Sequence, residues 1–444
     1  MKKVGQLPEK RFLQGLFFFI SACFLIAAVW MPDRGDLFSG YVKILTSPCK
    51  ITTNYFSVGG LAATFFNIGT VALFCTALFC IPGAQVDQVA TLAFFLTLGF
   101  GTWGTHVLNM LPSMVGVLLY ALVKKEKISS LVPALIFSTG STPLMSELML
   151  RYPGTEIGFH LTGILLALAA GIFIGFCLPA GLRHSPSVHK GFDLFSAAVP
   201  VGMCTFVLHG LFYKAPGIST EQIPTTGDLH VAAPEIVNIF CIAVFALCIL
   251  GALCMGCKLK DYCRLLWDIP EPGSYSARYG NSVFLMNVGV YGFLILGYYN
   301  LVGAEFNGVT FGIMFGMLSL CNSGGNPLTV APIMLGYITI AFLAKTLSPL
   351  TGGVCAMTIN AQPILIGVCY AAGLAPISGK YGVIYGFFAA MVHYLLVTLI
   401  PSLHGGFCLY NGGFTAAMTC LAVVPQLERF CKTRSQRRER RLQA

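Results

Sequence analysis

Charge is what this sequence lacks. Only 10% of its 444 residues are Asp, Glu, Lys or Arg, against about 25% in a soluble domain. The alternation of apolar and polar residues that marks an outer-membrane barrel is missing too, because the apolar runs are continuous. The sequence has no glycine-rich phosphate loop, no Ser-His-Asp arrangement and no second CxxC to match Cys254 and Cys257. These absences exclude an ordinary soluble enzyme, a nucleic-acid module, a disordered chain and a disulfide scaffold. They also leave this chain without a nucleotide-consuming motif, and neither a cofactor nor a metal is expected. No cleavable signal peptide is read at the start; residues 12–31 are apolar for long enough to be a first span.

What is present is 56% hydrophobic residues and a mean hydropathy of +0.78. A soluble fold this apolar would expose large sticky patches. The chain therefore reads as an all-α polytopic membrane protein. Its seventeen cysteines lie mostly in apolar runs, where free cysteine packs as a small hydrophobe. About twenty apolar residues cross a bilayer as a helix. By that measure the first half holds candidate spans at 12–31, 57–80, 86–100, 107–123, 131–146, 157–179 and 190–213. The second half holds 233–257, 279–300, 307–320, 327–345, 350–371, 380–400 and 406–425. Several are short, and whether 131–146 and 350–371 cross or re-enter stays open. The expected organisation is one membrane repeat over 1–225, a second over 226–425, and a basic cytoplasmic tail over 426–444.

The net charge of +10 is informative through its position. With the N-terminus in the cytoplasm and fourteen crossings, Arg34, Lys43, Lys50, Arg151, Lys214 and Lys345 fall outside and the other 21 of 27 basic residues inside. If the fifth segment of each half re-enters instead, Lys258–Arg278 moves outside. Positive residues favour the cytoplasmic side, so the expectation is fourteen crossings of the cell membrane with both termini cytoplasmic. The basic tail against anionic headgroups is a second use of the same charge.

The two halves repeat one another. Shifted by 220 residues, Gly60 meets Gly280, Asn67 meets Asn287, Gly83 meets Gly303, Gly104 meets Gly324, Pro112 meets Pro332 and Pro143 meets Pro363. Near the ends the shift becomes 215, and the segment starting His189-Lys-Gly-Phe matches His404-Gly-Gly-Phe. Seven spans per copy is odd, so the second copy starts from the opposite membrane side. Such inverted repeats are typical of secondary transporters. The paired segments beginning at His106 and Asn326, with the His-x-Gly-Phe ends, resemble a duplicated bacterial membrane-protein family of unknown function, DUF1576. The resemblance implies a two-repeat membrane protein and supplies neither substrate nor site.

Candidate chemistry lies at paired interruptions. In the first copy Gly99–His106 and in the second Cys321–Pro327 are dense in glycine, proline and small polar residues. The helices restarting near Val107 and Pro327 would aim amide groups at each break, which suits an anion. Candidate substrate ligands are Thr102, Gly104, His106 and Asn109 with Asn322, Gly324, Gly325 and Asn326. Polar patches at 138–143 and 358–363 add Thr142 and Gln362. Plain loops and helix-packing glue remain the alternative readings. For ion coupling the candidates are Asp193, whose repeat counterpart is Cys408, and carbonyls near Asn67 and Asn287 that could take sodium. His106, His160, His209 and His393 could carry protons or simply pack, and Glu147, Glu235 and Glu305 fall near span ends.

The leading expectation is a secondary transporter for a small solute, with anions among the classes considered, alternating access at the repeat interface. Its partners would be that solute, membrane lipids and a coupling proton or sodium ion. No nucleic acid is expected, and a homo-oligomer stays open. The rivals are a membrane enzyme acting on a lipid or lipid-linked substrate, and a structural membrane subunit.

Overall fold

Backbone amides in a long apolar run satisfy one another by coiling into helix when no water is at hand. The computed structural model describes residues 2–154, 156–221, 226–267, 273–355 and 357–443, and among them there are helices and no strand. Among the described residues eight helices are long and apolar enough to cross a membrane. The boundary expected at 225 lies outside the described residues, as does part of 258–278.

The first copy holds α1 (Glu9–Ala28), α2 (Leu61–Phe79), α3 (Gln88–Phe100), α4 (Val107–Lys124), α5 (Val132–Phe137), α6 (Thr142–Leu150), α7 (Leu161–His189) and α8 (Ala198–His209). The second holds α9 (Pro234–Cys254), α10 (Asn281–Leu301), α11 (Gly308–Leu318), α12 (Pro327–Leu347), α13 (Gln362–Ala371), α14 (Ala375–Tyr381), α15 (Val383–Val397) and α16 (Asn411–Phe430). A short 3-10 turn joins α5 to α6 and another joins α13 to α14, so each pair forms one broken segment.

Contacts gather the helix ends into two groups. At the first end Lys10 Nζ bonds Ala84 O at 2.7 Å, Ser276 Oγ donates to Glu9, Arg183 pairs with Glu126, Lys190 with Glu428, and Arg434 reaches Gly379 O. At the second end Asn54 Nδ2 bonds Asp228 O at 2.8 Å, Ile51 N bonds Gly406 O, Asn307 Nδ2 bonds Leu229 O, and Tyr152 OH bonds Phe212 O. Successive apolar segments run alternately between these ends.

The repeat is visible in backbone detail. Gly60 and Gly280 both start a long helix at φ near +90°, a conformation that favours glycine. Asn67 Nδ2 bonds the carbonyls of Gly101 and Thr105 at 2.7 and 2.9 Å; Asn287 Nδ2 bonds those of Cys321 and Gly325 at 2.8 and 2.9 Å. At the centre, α3 and α11 pack against each other antiparallel. Asn322, just beyond α11, bonds Thr91 near the start of α3, and Gly99 near the end of α3 crosses Gly312 near the start of α11. A Cβ on either glycine would collide with the other's carbonyl oxygen.

One register differs from the sequence pairing. Leu194 N bonds Gly373 O at 3.1 Å, and Leu409 N bonds Gly140 O at 2.8 Å. Since Leu194 and Leu409 are partners at the 215 shift, Gly140 pairs with Gly373. Pro143 then pairs with Pro376 rather than Pro363. Extra residues between α12 and α13 displace the register, and a long α7 against a short α15 takes it back.

Candidate functional site

Each break is a helix end closed by side chains. His106 and Asn326 are N-caps in extended conformation, each in a capping box with the third residue of its helix. His106 N donates to Asn109 Oδ1 at 3.0 Å, and Asn109 Nδ2 reaches Gly104 O at 3.0 Å and Ser146 Oγ at 2.8 Å. In the second copy Asn326 N donates to Thr329 Oγ1 at 3.1 Å, and Thr329 Oγ1 reaches Gly324 O at 2.8 Å. Thr102 Oγ1 bonds Gly99 O, while Asn322 Oδ1 accepts from Ser276 N at 2.9 Å. Thr142 lies 2.9 Å from Thr105, oxygen to oxygen, and Gln362 Oε1 accepts from Asn307 Nδ2 at 2.9 Å.

The nominated residues thus occupy several places rather than one. Thr102, Gly104, His106, Asn109 and Thr142 cluster after α3. Asn322, Gly324, Gly325 and Asn326 cluster after α11. Because α3 and α11 are antiparallel, the two clusters lie at opposite ends of a helix pair roughly 20 Å long. All nine are fully or almost fully buried, while Gln362 is half-buried beside the start of α11. The carbonyls considered for sodium are held by the Asn67 and Asn287 amides. The two Oδ1 atoms of those residues are buried with no hydrogen-bond partner among the described residues. Three of the four candidate proton carriers, His106, His209 and His393, are buried: His393 Nδ1 lies 2.6 Å from Tyr337 OH and its Nε2 2.9 Å from Gly412 O, and His209 Nδ1 lies 2.9 Å from Leu403 O; His160 is exposed at the start of α7. Glu147 forms a buried ion pair with Arg151 at 2.7 Å.

Asp193 is placed differently. The sequence puts it just inside a span, whereas the structure puts it in the connection between α7 and α8, which dips into the bundle to meet Gly373. There it lines a cavity of about 290 Å³ with Gln88 from the first turn of α3, His189 and Ser196 around the connection, Ser323 from the second break, and Pro376 of α14. Asp193 Oδ1 accepts from Phe195 N at 2.8 Å. Its Oδ2 is buried with no hydrogen-bond partner among the described residues. Burial pushes this carboxyl up to about 7, and the Phe195 amide offsets part of the rise. His189 Nδ1 accepts from Asp193 N at 3.4 Å and Nε2 lies 2.9 Å from Ser196 Oγ, which fixes the ring beside the carboxyl. The half-buried amide of Gln88 has no hydrogen-bond partner among the described residues and is available to a ligand. Basic residues surround this end: Lys190 on Glu428, Lys380 over the Phe192 ring at 4.9 Å, and Arg434 and Arg437 on the carbonyls of Gly379 and Tyr381. Three further cavities among the described residues are largely apolar grooves on the outside of the bundle.

The repeat generates a counterpart of this cavity at the second end. His404 Nδ1 accepts from Cys408 N at 3.2 Å and Nε2 lies 3.2 Å from Asn411 Oδ1. That repeats the pattern of His189, Asp193 and Ser196 at the 215 shift. In place of Asp193 stands Cys408; in place of Ser323, at the 220 shift, stands Trp103. The Trp103 indole is fully buried and presses on Gly312, the counterpart of the cavity-lining Leu92. Cys408, His404 and Leu409 are buried as well, and Ile51 N closes over them onto Gly406 O.

Gln88, Ser196 and Ser323 are cavity residues that sequence reasoning missed. The signal for Ser323 was weak, because Trp103 against Ser323 is one of several differences beside the shared Gly104 and Gly324. Among the described residues no group of His, Cys, Asp and Glu could hold a metal ion.

No curated protein and no solved structure gives a match to the chain. A family described as "Protein of unknown function (DUF1576)" matches residues 34–214 and 272–429. One stretch covers α2 to α8 with the breaks and Asp193; the other covers α10 to α16 with their counterparts. The chain therefore belongs to the DUF1576 family, with one matched stretch in each of its two copies.

Proposed function

We propose that the protein is a secondary transporter for a small polar solute, crossing the cell membrane fourteen times with both termini cytoplasmic. The observation that carries this reading is the pair of repeat-equivalent sites at opposite ends of the bundle. One is a cavity with an unsatisfied carboxyl oxygen, and the other is filled by an indole. Exchange of the two conformations between the copies would open the second site and close the first, which is how inverted repeats alternate access. The antiparallel packing of α3 on α11 supports the inversion. A two-fold relation between antiparallel equivalent helices has its axis across them, in the membrane plane if they stand upright. The alternation of apolar segments between two ends supports the odd count per copy.

Asp193 gives the coupling step. An ionised Asp193 repels an anion, whereas a protonated one donates a hydrogen bond and leaves the surrounding basic residues to attract it. An anionic solute would therefore enter together with a proton on Asp193 Oδ2. Gln88, Ser196 and Ser323 would supply the neutral hydrogen bonds.

The test uses purified protein in liposomes loaded with a pH-sensitive dye and exposed to a panel of small polar solutes. The expected result is proton uptake that depends on one solute class and is lost in Asp193→Asn and in Ser323→Trp. Solute flux that survives Ser323→Trp unchanged would contradict the cavity's role. Solute flux without proton movement would remove Asp193 as the coupling group.

A further inference from the structure

An apolar groove of about 570 Å³ runs along the outside of the bundle where α1 meets α9. Phe12, Leu16 and Phe19 form one wall, and Leu247, Leu250 and Met255 the other. Phe19, Leu247 and Leu250 are each more than half exposed. The floor has a notch at Gly15, where an added Cβ would meet nothing within 4 Å. At the tail end of the groove stands Arg11. Its neighbours are engaged, Glu9 by Ser276 and Lys10 by the Ala84 carbonyl. Arg11 itself is exposed and has no hydrogen-bond or ion-pair partner among the described residues.

Two features say what fits. A lone guanidinium beside hydrocarbon surface matches a phosphate, which it can grip through two parallel hydrogen bonds. From Arg11 to Phe19 the helix rises roughly 12 Å, close to the depth of one leaflet's hydrocarbon, about 15 Å. We propose that this groove is a binding site for one anionic phospholipid. Its phosphate sits on Arg11, and one acyl chain lies over Gly15 between α1 and α9. The site rests on the membrane reading alone and is independent of transport at Asp193. Phosphatidylcholine would fill the same groove with its chain, but its choline balances the phosphate charge that Arg11 would otherwise neutralise.

The experiment is native mass spectrometry of the full-length protein, delipidated in detergent and supplied with equal phosphatidylglycerol and phosphatidylcholine. Wild type is expected to keep one phosphatidylglycerol in preference to phosphatidylcholine. Arg11→Gln lowers that preference roughly fivefold, the worth of one basic residue at an anionic surface. Arg11→Lys keeps part of it. Gly15→Trp, which fills the notch without touching charge, lowers retention of both lipids. Elution of each variant at the wild-type position establishes that it is folded. Equal retention of both lipids by wild type, or unchanged retention in Arg11→Gln, overturns the proposal. So does a dimer that excludes lipid and dissociates in Gly15→Trp, because the groove's occupant would then be a second copy.

Discussion

The connection after His189 and the connection after His404 share one hydrogen-bond skeleton and hold opposite contents. Both cap their own turn with a histidine Nδ1, and both hand a backbone amide to a glycine carbonyl in the other copy. Around that common frame one end places Asp193 of the first copy and Ser323 of the second beside a cavity, and the other end places Cys408 of the second copy and Trp103 of the first in packed core. Backbone geometry is thus shared by the two copies, while side-chain differences, Asp193 against Cys408 and Ser323 against Trp103 among them, accompany a cavity at one end and packed core at the other. The difference lies in the link between packing and function, since the local structure is the same.

The sharpest way to break this comparison is to empty the filled site. Trp103→Ala removes a fully buried indole, and stability in detergent unfolding should fall by about 3–5 kcal/mol. Ser323→Ala, beside the existing cavity, should cost less than about 1 kcal/mol. Equal losses would mean that the two sites do not differ in packing.

A second comparison concerns what the copies share. Asn67→Ala and Asn287→Ala each free two buried break carbonyls and should each destabilise by about 1–3 kcal/mol. The two losses should agree within about 1 kcal/mol. A large disparity would show that only one break depends on its clamp.

The third contrast is electrostatic. Burial in the folded chain raises the Asp193 carboxyl to about 7, from an ordinary value of 3.8. Between these values the unfolded chain binds fewer protons, so stability falls as pH rises, and the fall ends once both states are ionised. From pH 6 to 8 the Asp193 contribution should decline by about 1.4 kcal/mol. That decline should vanish in Asp193→Asn and persist in Cys408→Ser, measured by unfolding at each pH.

Much of this architecture was legible where residue chemistry is demanding. Gly60 and Gly280 need a left-handed turn, and Asn67 and Asn287 need a side chain that bridges two carbonyls, so both pairs stayed in register at 220. The fifth segment was less legible. Gly140 and Gly373 matter because Tyr410 and Phe195 lie against them, a constraint set by the other copy and invisible locally. Pro363 offered a competing match at the register already in use. The breaks were found, but their separation was not, because sequence spacing does not say that α3 and α11 run antiparallel. Asp193 was legible as a costly group, and its cavity was not, since Gln88, Ser323 and Pro376 come from distant parts of the chain.

The central claim is that the two copies are inverted across the membrane. Ser187 and Ser402 are repeat partners at the 215 shift, both exposed, Ser187 in the last turn of α7 before His189 and Ser402 in the 3-10 turn before His404. Each is to be replaced singly by cysteine, after the exposed Cys80, Cys254 and Cys263 have been changed to serine, and labelled in intact cells and in inverted vesicles with a membrane-impermeant maleimide. The account predicts labelling of position 402 from outside and of position 187 from the cytoplasm. Labelling of both from the same side would contradict it.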